Sequence, residues 1–502
     1  MIPVISPKKI KNVEKNYLIN FKNKEILQKR AVKGIAKIIL KQKPSAVIIF
    51  FGPGMNGNDG LKVGKLISKE IGSKNVNLIS CINGSSSNIN LDFAKDEGFE
   101  IQKFDKKFLT EKSNSAVTKI IVIDSILGIS AKCSLRKDLS EKIKFLNKIF
   151  YRKKNIKIYS LDIPTGFDPN NGKIDKNTLK SDEIIMLGSQ VISSVINPEI
   201  FKKISYVDLG FKKNNVNSSS VIYKALTPAI AKKNFIQRSE ISYKNRFGSH
   251  LIIGGSENYP GAALLCSRSS NISGTGHTSI YTSEKIIEKI IKKTPETTFF
   301  KSSFSDQTSF EKYTSISIGV GLGQNKYSKK IIFEFLEYIQ STKNIHNIII
   351  DADALNILST INYWWEKLPV STLITPHIGE FNRIYKFKNY DNIFEKVTNF
   401  SKLTKLCLLL KGPATLVSQN SELIINTAPN GGMSKPGMGD VLTGLIGGLA
   451  SLPKMKVKDA AIIGTYVHSN AGKLARKFKG STSMTASDVI SFIPQVFKNL
   501  EE

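Results

Sequence analysis

Short apolar runs alternate with helical patterns along this chain, and the alternation occurs twice. The first set contains Ala46–Phe51, Val76–Ser80, Lys119–Ile123, Ile156–Leu161, Glu183–Leu187 and Tyr206–Leu209, with a helical pattern at Leu61–Ile71. The second contains His250–Ile253, Ser315–Val320, Ile348–Ile350, Thr372–Thr375 and Leu406–Leu410. Runs that are apolar throughout read as strands buried on both faces, which parallel sheets covered by helices require. The polar stretch Lys212–Ser220 separates the two sets. The pattern therefore predicts an α/β protein with two tandem domains, residues 1–218 and 222–502, in a chain of 502 residues.

Composition removes several classes. Hydrophobic residues make up 41%, which excludes general disorder. The net charge of +32 first suggests a nucleic-acid partner. However, the lysines are spread over the whole length, with no Arg-rich patch interleaved with aromatics, so no nucleic-acid partner is expected. Cys81, Cys133, Cys266 and Cys407 lie far apart without CxxC spacing, which argues for buried free thiols. No run is long enough to span a membrane, and the N-terminus lacks a signal-type apolar core. A cytoplasmic protein with no membrane partner is the expectation.

The chemistry concentrates where strands end, which is where ligands sit in open parallel sheets. In the second half, Asn430–Gly444 reads NGGMSKPGMGDVLTG, a glycine loop running into an apolar helix with Asp440 at the junction. Unpaired amides at a helix start favour anions, and a carboxylate there can take a proton from a hydroxyl. Equally, Asp440 could be an ordinary helix cap. IIGGSENYPGAA (Ile252–Ala263), GVGLG (Gly319–Gly323), DADAL (Asp351–Leu355), TPHIGEF (Thr375–Phe381) and KGPAT (Lys411–Thr415) precede it; His468 and TASD (Thr485–Asp488) follow. Asp351 and Asp353 could be strand-end caps, and His377 a satisfied loop histidine. In the first half, GPGMNGNDG (Gly52–Gly60), VIDSILGIS (Val122–Ser130) and SLDIPTGFDPNNG (Ser160–Gly172) are three strand-end loops, each with an acid or amide, and together they predict one cleft.

The ordered set from Tyr243 onward closely resembles the dehydratase domain of the bifunctional NAD(P)H-hydrate repair family, a ribokinase-like αβα fold. The resemblance implies that Asp440 takes the substrate hydroxyl proton and that Gly437–Gly439 stabilise the transferred phosphoryl group. Lys411, Gly412, Pro413, Ala414, Thr415 and Gly439 would hold the nucleotide. Ala262, Gly323 and His377, with Asp440, would line the hydrate site. ADP, or alternatively ATP, is the implied phosphoryl donor, with Mg2+ bridging its phosphates. The family usually ends its loop GGTGD, where this chain has Pro436-Gly437-Met438-Gly439-Asp440.

The first set resembles the epimerase domain of the same family, a Rossmann-like three-layer αβα fold. Met55, Asn56, Gly57, Asn58 and Asp59, with Gly128, Ile129, Ser130, Ala131, Lys132, Cys133 and Ser134, would form the substrate cleft. Asp162 would contact the hydrate and act as acid–base. Asn56, Asp124 and Thr165 would hold a potassium ion. The family's first loop normally reads GNNGGDG; here Met55 replaces an asparagine and Asn58 a glycine. The implied substrates are NADHX and NADPHX, and the implied assembly is a homo-oligomer. The weighed alternative is a ribokinase-like kinase of a small alcohol whose first domain is a non-catalytic binding module.

Overall fold

The structure is a computed structural model. It describes residues 4–5, 7–21, 25–81, 89–96, 98–114, 119–131, 134–191, 193–194, 197, 199–201, 203–211, 222–238, 241–300, 310–342, 344, 346–386 and 393–502. The polar stretch Lys212–Ser220, and Lys132 and Cys133 of the expected cleft, lie outside the described residues. The chain divides into two compact units, Met1–Ser219 and Ser220–Glu502.

In the first unit, β1 (Ala46–Phe51), β2 (Val76–Ser80), β3 (Ile101–Gln102), β4 (Ile120–Ser125), β5 (Ile156–Leu161), β6 (Glu183–Leu187) and β7 (Ile204–Val207) form a parallel sheet in the order β3-β2-β1-β4-β5-β6-β7. Alternate residues of β1 enter different cores. Val47, Ile49 and Phe51 pack with Ile35 and Ile39 of α2 (Ile26–Leu40) and Leu61 of α3 (Met55–Ile71). Ile48 and Phe50 pack with Ile143, Leu146 and Phe150 from the helix Lys137–Phe150. The two-residue period of a strand thus fills both sides of the sheet and produces three layers. A further helix, α1 (Pro7–Phe21), precedes them.

Several strand ends differ from the sequence expectation by one or two residues, among them the strand expected at Tyr206–Leu209, which runs Ile204–Val207, and two further differences bear on the site. The helix expected from Leu61 begins at Met55, inside the glycine loop. Gly57 makes this possible, because a Cβ there would stand 2.1 Å from the Gly52 carbonyl oxygen. The strand expected to stop at Ile123 continues through Asp124 to Ser125. Asp124 can remain in a fully buried strand because Thr165, Ser160 and the Ile126 amide all donate to its carboxylate.

Among its described residues the second unit has ten strands: β8 (Ile222–Ala225), β9 (Ser249–Ile253), β10 (His277–Tyr281), β11 (Thr298–Phe300), β12 (Ser315–Ile318), β13 (Asn347–Ile350), β14 (Thr372–Ile374), β15 (Cys407–Leu410), β16 (Thr415–Gln419) and β17 (Glu422–Asn426). Their order is β8-β17-β16-β15-β14-β13-β12-β9-β10-β11, and the pairings of β16 with β15 and β17 are antiparallel. The glycine-rich helix after Asn430 runs from Met438 to Ala450 and is apolar on nearly every side. Such a helix must be enclosed. It packs against the helices Pro260–Asn271 and Val457–Ser483. Close approach depends on small residues: a Cβ on Gly444 would lie 1.9 Å from the Cys266 carbonyl oxygen. This packing fixes the start of Met438–Ala450 against the carboxyl ends of the strands. Cys81, Cys266 and Cys407 are buried free thiols, as expected. No helix among the described residues is long and apolar enough to cross a membrane.

Candidate active sites

In the second unit the strand-end loops meet around a buried ion pair. Lys411 follows β15, and its amide donates to the Pro376 carbonyl at 2.8 Å. Its Nζ donates to Asp351 Oδ1 at 2.7 Å. Asp351 caps the helix Ala352–Leu358 by accepting from the Ala352 amide at 2.9 Å. Its Oδ2 accepts from Thr443 Oγ1 at 2.7 Å, so β13, β15 and Met438–Ala450 are tied to one carboxylate. Burial opposes a charge on Lys411. The carboxylates of Asp351, Glu380 and Asp440 nevertheless hold its ammonium above the usual lysine value.

Asp440 lies inside the first turn of Met438–Ala450; the N-cap is Gly437, with φ +88°. The cap reading of Asp440 therefore does not hold. Left-handed backbone at position 437 suits glycine and turns the following amides toward the strand ends. A Cβ on Gly439 would stand 3.4 Å from Lys411 Nζ and 3.8 Å from Asp351 Oδ2, so the loop lies directly over the ion pair. Burial pushes the Asp440 carboxyl up to about 6; Asp351 adds to the rise and Lys411 opposes it.

The remaining motifs surround this centre. Asp353 accepts from the Gly323 amide at 2.8 Å and holds the GVGLG turn. A Cβ on Gly321 would come within 2.6 Å of the Ala262 methyl, so the GVGLG turn lies against the first turn of the helix Pro260–Asn271. His377 caps the helix Ile378–Ile384: its Nδ1 accepts from the Gly379 and Glu380 amides at 3.0 and 3.3 Å. Nε2 then carries the ring proton, on an imidazole about half exposed. His377 and Lys411 pair across a parallel bridge. Gly412 and Pro413 are exposed, Ala414 is buried and Thr415 opens β16. His468 has its Nε2 buried with no partner among the described residues, and burial holds the ring down at about 4. TASD is a capping box, with Thr485 and Asp488 each accepting from the other's amide.

In the first unit the three loops follow adjacent strands β1, β4 and β5. Asn56 connects them: its Nδ2 donates to the Leu127 carbonyl at 2.7 Å and the Leu161 carbonyl at 3.2 Å. Its Oδ1 is buried with no partner among the described residues. Asp124 Oδ1 accepts from Thr165 Oγ1 at 2.6 Å and Oδ2 from the Thr165 amide at 2.8 Å. A Cβ on Gly128 would reach 3.1 Å from Asn56 Cβ, so this second loop also meets the first. Ile129, Ser130 and Ala131 continue it half-buried or exposed; Ser134 has φ +85° and is exposed.

Asp162 has φ +62°, and the Ile163 amide donates back to the Leu161 carbonyl at 2.7 Å. This tight, strained turn at the end of β5 aims an acid at the cleft. Burial raises its carboxyl to about 8, with Asp59 and Glu14 adding to the rise. Asp59 itself is raised to about 6, by burial. Met55 is 79% exposed, which removes it from the packed part of the loop.

Several contributors were not named as site residues from the sequence: Thr443, Gln28, Asn90 and Ser160. Thr443 follows Asp440 by three residues on one helix face, a spacing visible in sequence. Asp351 was visible as a motif, but its pairing with Lys411 spans 60 residues and leaves no local signal.

Residues 250–495 match the family described as NAD(P)H-hydrate dehydratase, and residues 24–190 match the family described as YjeF-related protein N-terminus. The chain is 24% identical to the bifunctional NAD(P)H-hydrate repair enzyme Nnr of Methanopyrus kandleri, over 99% of this chain and 97% of the relative. It is 27% identical to the enzyme of the same name from Methanocaldococcus jannaschii, over 99% of this chain and 94% of the relative. Among solved structures, ADP/ATP-dependent NAD(P)H-hydrate dehydratase from Bacillus subtilis, co-crystallised with ATP/Mg2+, is 26% identical, with 56% of this chain and 100% of that chain covered and a TM-score of 0.49.

Proposed function

We infer that this chain, which belongs to the bifunctional NAD(P)H-hydrate repair family, restores hydrated nicotinamide cofactors by two activities. Its first unit interconverts the R and S hydrates, and its second dehydrates the S form at the expense of a nucleotide. The observation that carries the dehydratase reading is Asp440, a carboxyl raised to about 6, in the first turn of a helix laid over the Lys411–Asp351 pair.

In this reading Asp440 accepts the proton of the hydrate hydroxyl as its oxygen attacks the terminal phosphoryl group. Lys411 and the amides at Gly437–Gly439 stabilise charge on that group. Hydroxide is a poor leaving group, whereas the phosphate ester leaves readily. Loss of phosphate with a proton from the neighbouring carbon regenerates the reduced ring. Lys411–Thr415 and Gly439 hold the nucleotide, and Mg2+ arrives with its phosphates. Ala262, Gly323 and the Nε2–H of His377 line the hydrate pocket. ADP is the proposed donor and ATP the second.

A simple kinase of a small alcohol would share Asp440 but not the attached first unit, which the relatives also possess. The test is to incubate mixed hydrate epimers with Mg2+ and ADP or ATP and follow reduced-nicotinamide absorbance. Full recovery is expected. A stable phosphorylated product, or no recovery with either nucleotide, would overturn the dehydratase reading. Recovery of the S fraction alone, while spontaneous epimerisation is slow, would overturn the epimerase reading.

For the first unit, the donor set fits a potassium ion. Asn56 Oδ1, which has no partner among the described residues, the Asp124 carboxylate and Thr165 Oγ1 are hard oxygens, one from each of the three loops. Burial alone raises the Asp124 carboxyl, and a cation there would offset that cost. Potassium at a hundred times its Kd should then add about 2.7 kcal/mol of stability. Thermal unfolding in K+ against tetramethylammonium measures this, and Asn56→Leu should abolish the difference; an equal Tm in both salts would exclude the ion. Homo-oligomer formation belongs to the same proposal and is measured by sedimentation.

A further inference from the structure

Gln28 lies on α2, outside all the strand-end loops, yet its side-chain nitrogen donates twice into the first of them. Its Nε2 donates to Asn58 Oδ1 at 2.8 Å and to Asp59 Oδ1 at 2.8 Å. Its Oε1 accepts from Lys62 Nζ. Asn58 Nδ2 donates onward to Asn90 Oδ1 at 3.0 Å. Asn90 is completely buried, and its Nδ2 donates to the Gly52 carbonyl at 2.8 Å and the Gly54 carbonyl at 2.9 Å. A chain of amides therefore runs from α2 through the first turn of α3 to the helix Ile89–Asp96 and back to the turn that begins the loop.

We propose that Gln28 is a positioning residue of the epimerase site, holding Asp59 and the first loop in place beside Asp162 through this relay. The proposal rests on the epimerase reading of the first unit. It also accounts for Asn58, which stands where the family's loop usually has glycine: its side chain is the link between Gln28 and Asn90. Only an amide serves at position 28, because the residue must donate twice and accept once; a carboxylate cannot donate and a methionine can do neither.

The relay also controls charge. The groups facing Asp59 are Gln28 and Lys62, which favour its carboxylate, and the acids Glu14 of α1 and Asp162 in the turn after β5. Lys11 lies beside Glu14. Removing the Gln28 donor withdraws a bond to the charged form, so the Asp59 carboxyl rises above its value of about 6. The feature that Asp59 contributes to the epimerisation pH profile should move to higher pH.

The test measures R-to-S conversion of the hydrate without nucleotide, which keeps the dehydratase silent, from pH 5 to 9. Gln28→Met and Gln28→Glu keep the side-chain length and lose the donors. Both are expected to lower the epimerisation rate about tenfold and move the profile up by about one pH unit, with more movement in Q28E because it adds a negative charge. Nucleotide-dependent dehydration by the same chains should stay at the wild-type level and reports folding of the second unit. Wild-type epimerisation with an unmoved profile in either folded variant would overturn the role of Gln28. A uniform rate loss without movement would reduce the residue to a structural one and also overturn it. Absence of epimerisation in the unmodified protein would instead overturn the epimerase reading itself.

Discussion

Asp440→Asn is expected to lower nucleotide-dependent dehydration by about 10²–10⁴-fold, the range associated with loss of a positioned general base. The substitution keeps the volume of the side chain in the first turn of Met438–Ala450 and leaves Thr443, on the next turn, bonded to Asp351. Nucleotide affinity should therefore change little. The pH profile gives an independent reading. Burial, with help from Asp351, raises the Asp440 carboxyl to about 6, and only the ionised form can accept a proton. Wild-type dehydration should be at its plateau above this value and fall as pH drops through 6. The residual activity of the asparagine variant should lack that descent. Near-wild-type turnover in the variant, or an acid descent that survives the substitution, would remove Asp440 from the role of base.

Much of the scaffold was legible because parallel strands enclosed by helices must be apolar on both faces. Ala46–Phe51 is such a run, and it occupies the expected position. The hairpin β16–β17 was not legible: its residues alternate only weakly, and its turn is Asn420 and Ser421, both in left-handed backbone without a glycine to mark it. The start of α3 was obscured for a related reason. Glycines at 54, 57 and 60 read as a loop, yet Gly57 and Gly60 are small so that the first turns can press against the Gly52 carbonyl and Ser125.

The sites were legible as loops but not as contacts. Sequence order could place DADAL, KGPAT and the glycine helix at strand ends, since all three follow or precede apolar runs. It could not show that Asp351 belongs to Lys411 and Thr443 at once, because that triad depends on β13 and β15 flanking β14 and on a helix returning from residue 438. The same limit applied to Gln28, whose helical position predicts only a half-buried polar residue; its partners are 30, 31 and 34 residues away.

Lys411→Met should lose activity and stability together, and a second substitution separates the two losses. Asp351 is fully buried and its principal charge partner is Lys411. Removing the lysine strands the carboxylate with the Thr443 hydroxyl and the Ala352 amide. Leaving one member of a buried pair costs about 3 kcal/mol, the low end of the usual range because Lys411 retains some solvent contact. Catalysis should fall for a different reason: the ammonium stands beside the Asp440 loop, where it would meet the transferred phosphoryl group, and its removal also lets the Asp440 carboxyl rise above 6. The double variant K411M/D351N discharges the stranded acid. Its Tm should recover most of the loss, while turnover should stay at least about 10²-fold below wild type, the scale for losing one electrostatic contact to the transition state. If discharging Asp351 restores turnover as well, Lys411 serves only to neutralise Asp351, and the phosphoryl contact assigned to it is wrong.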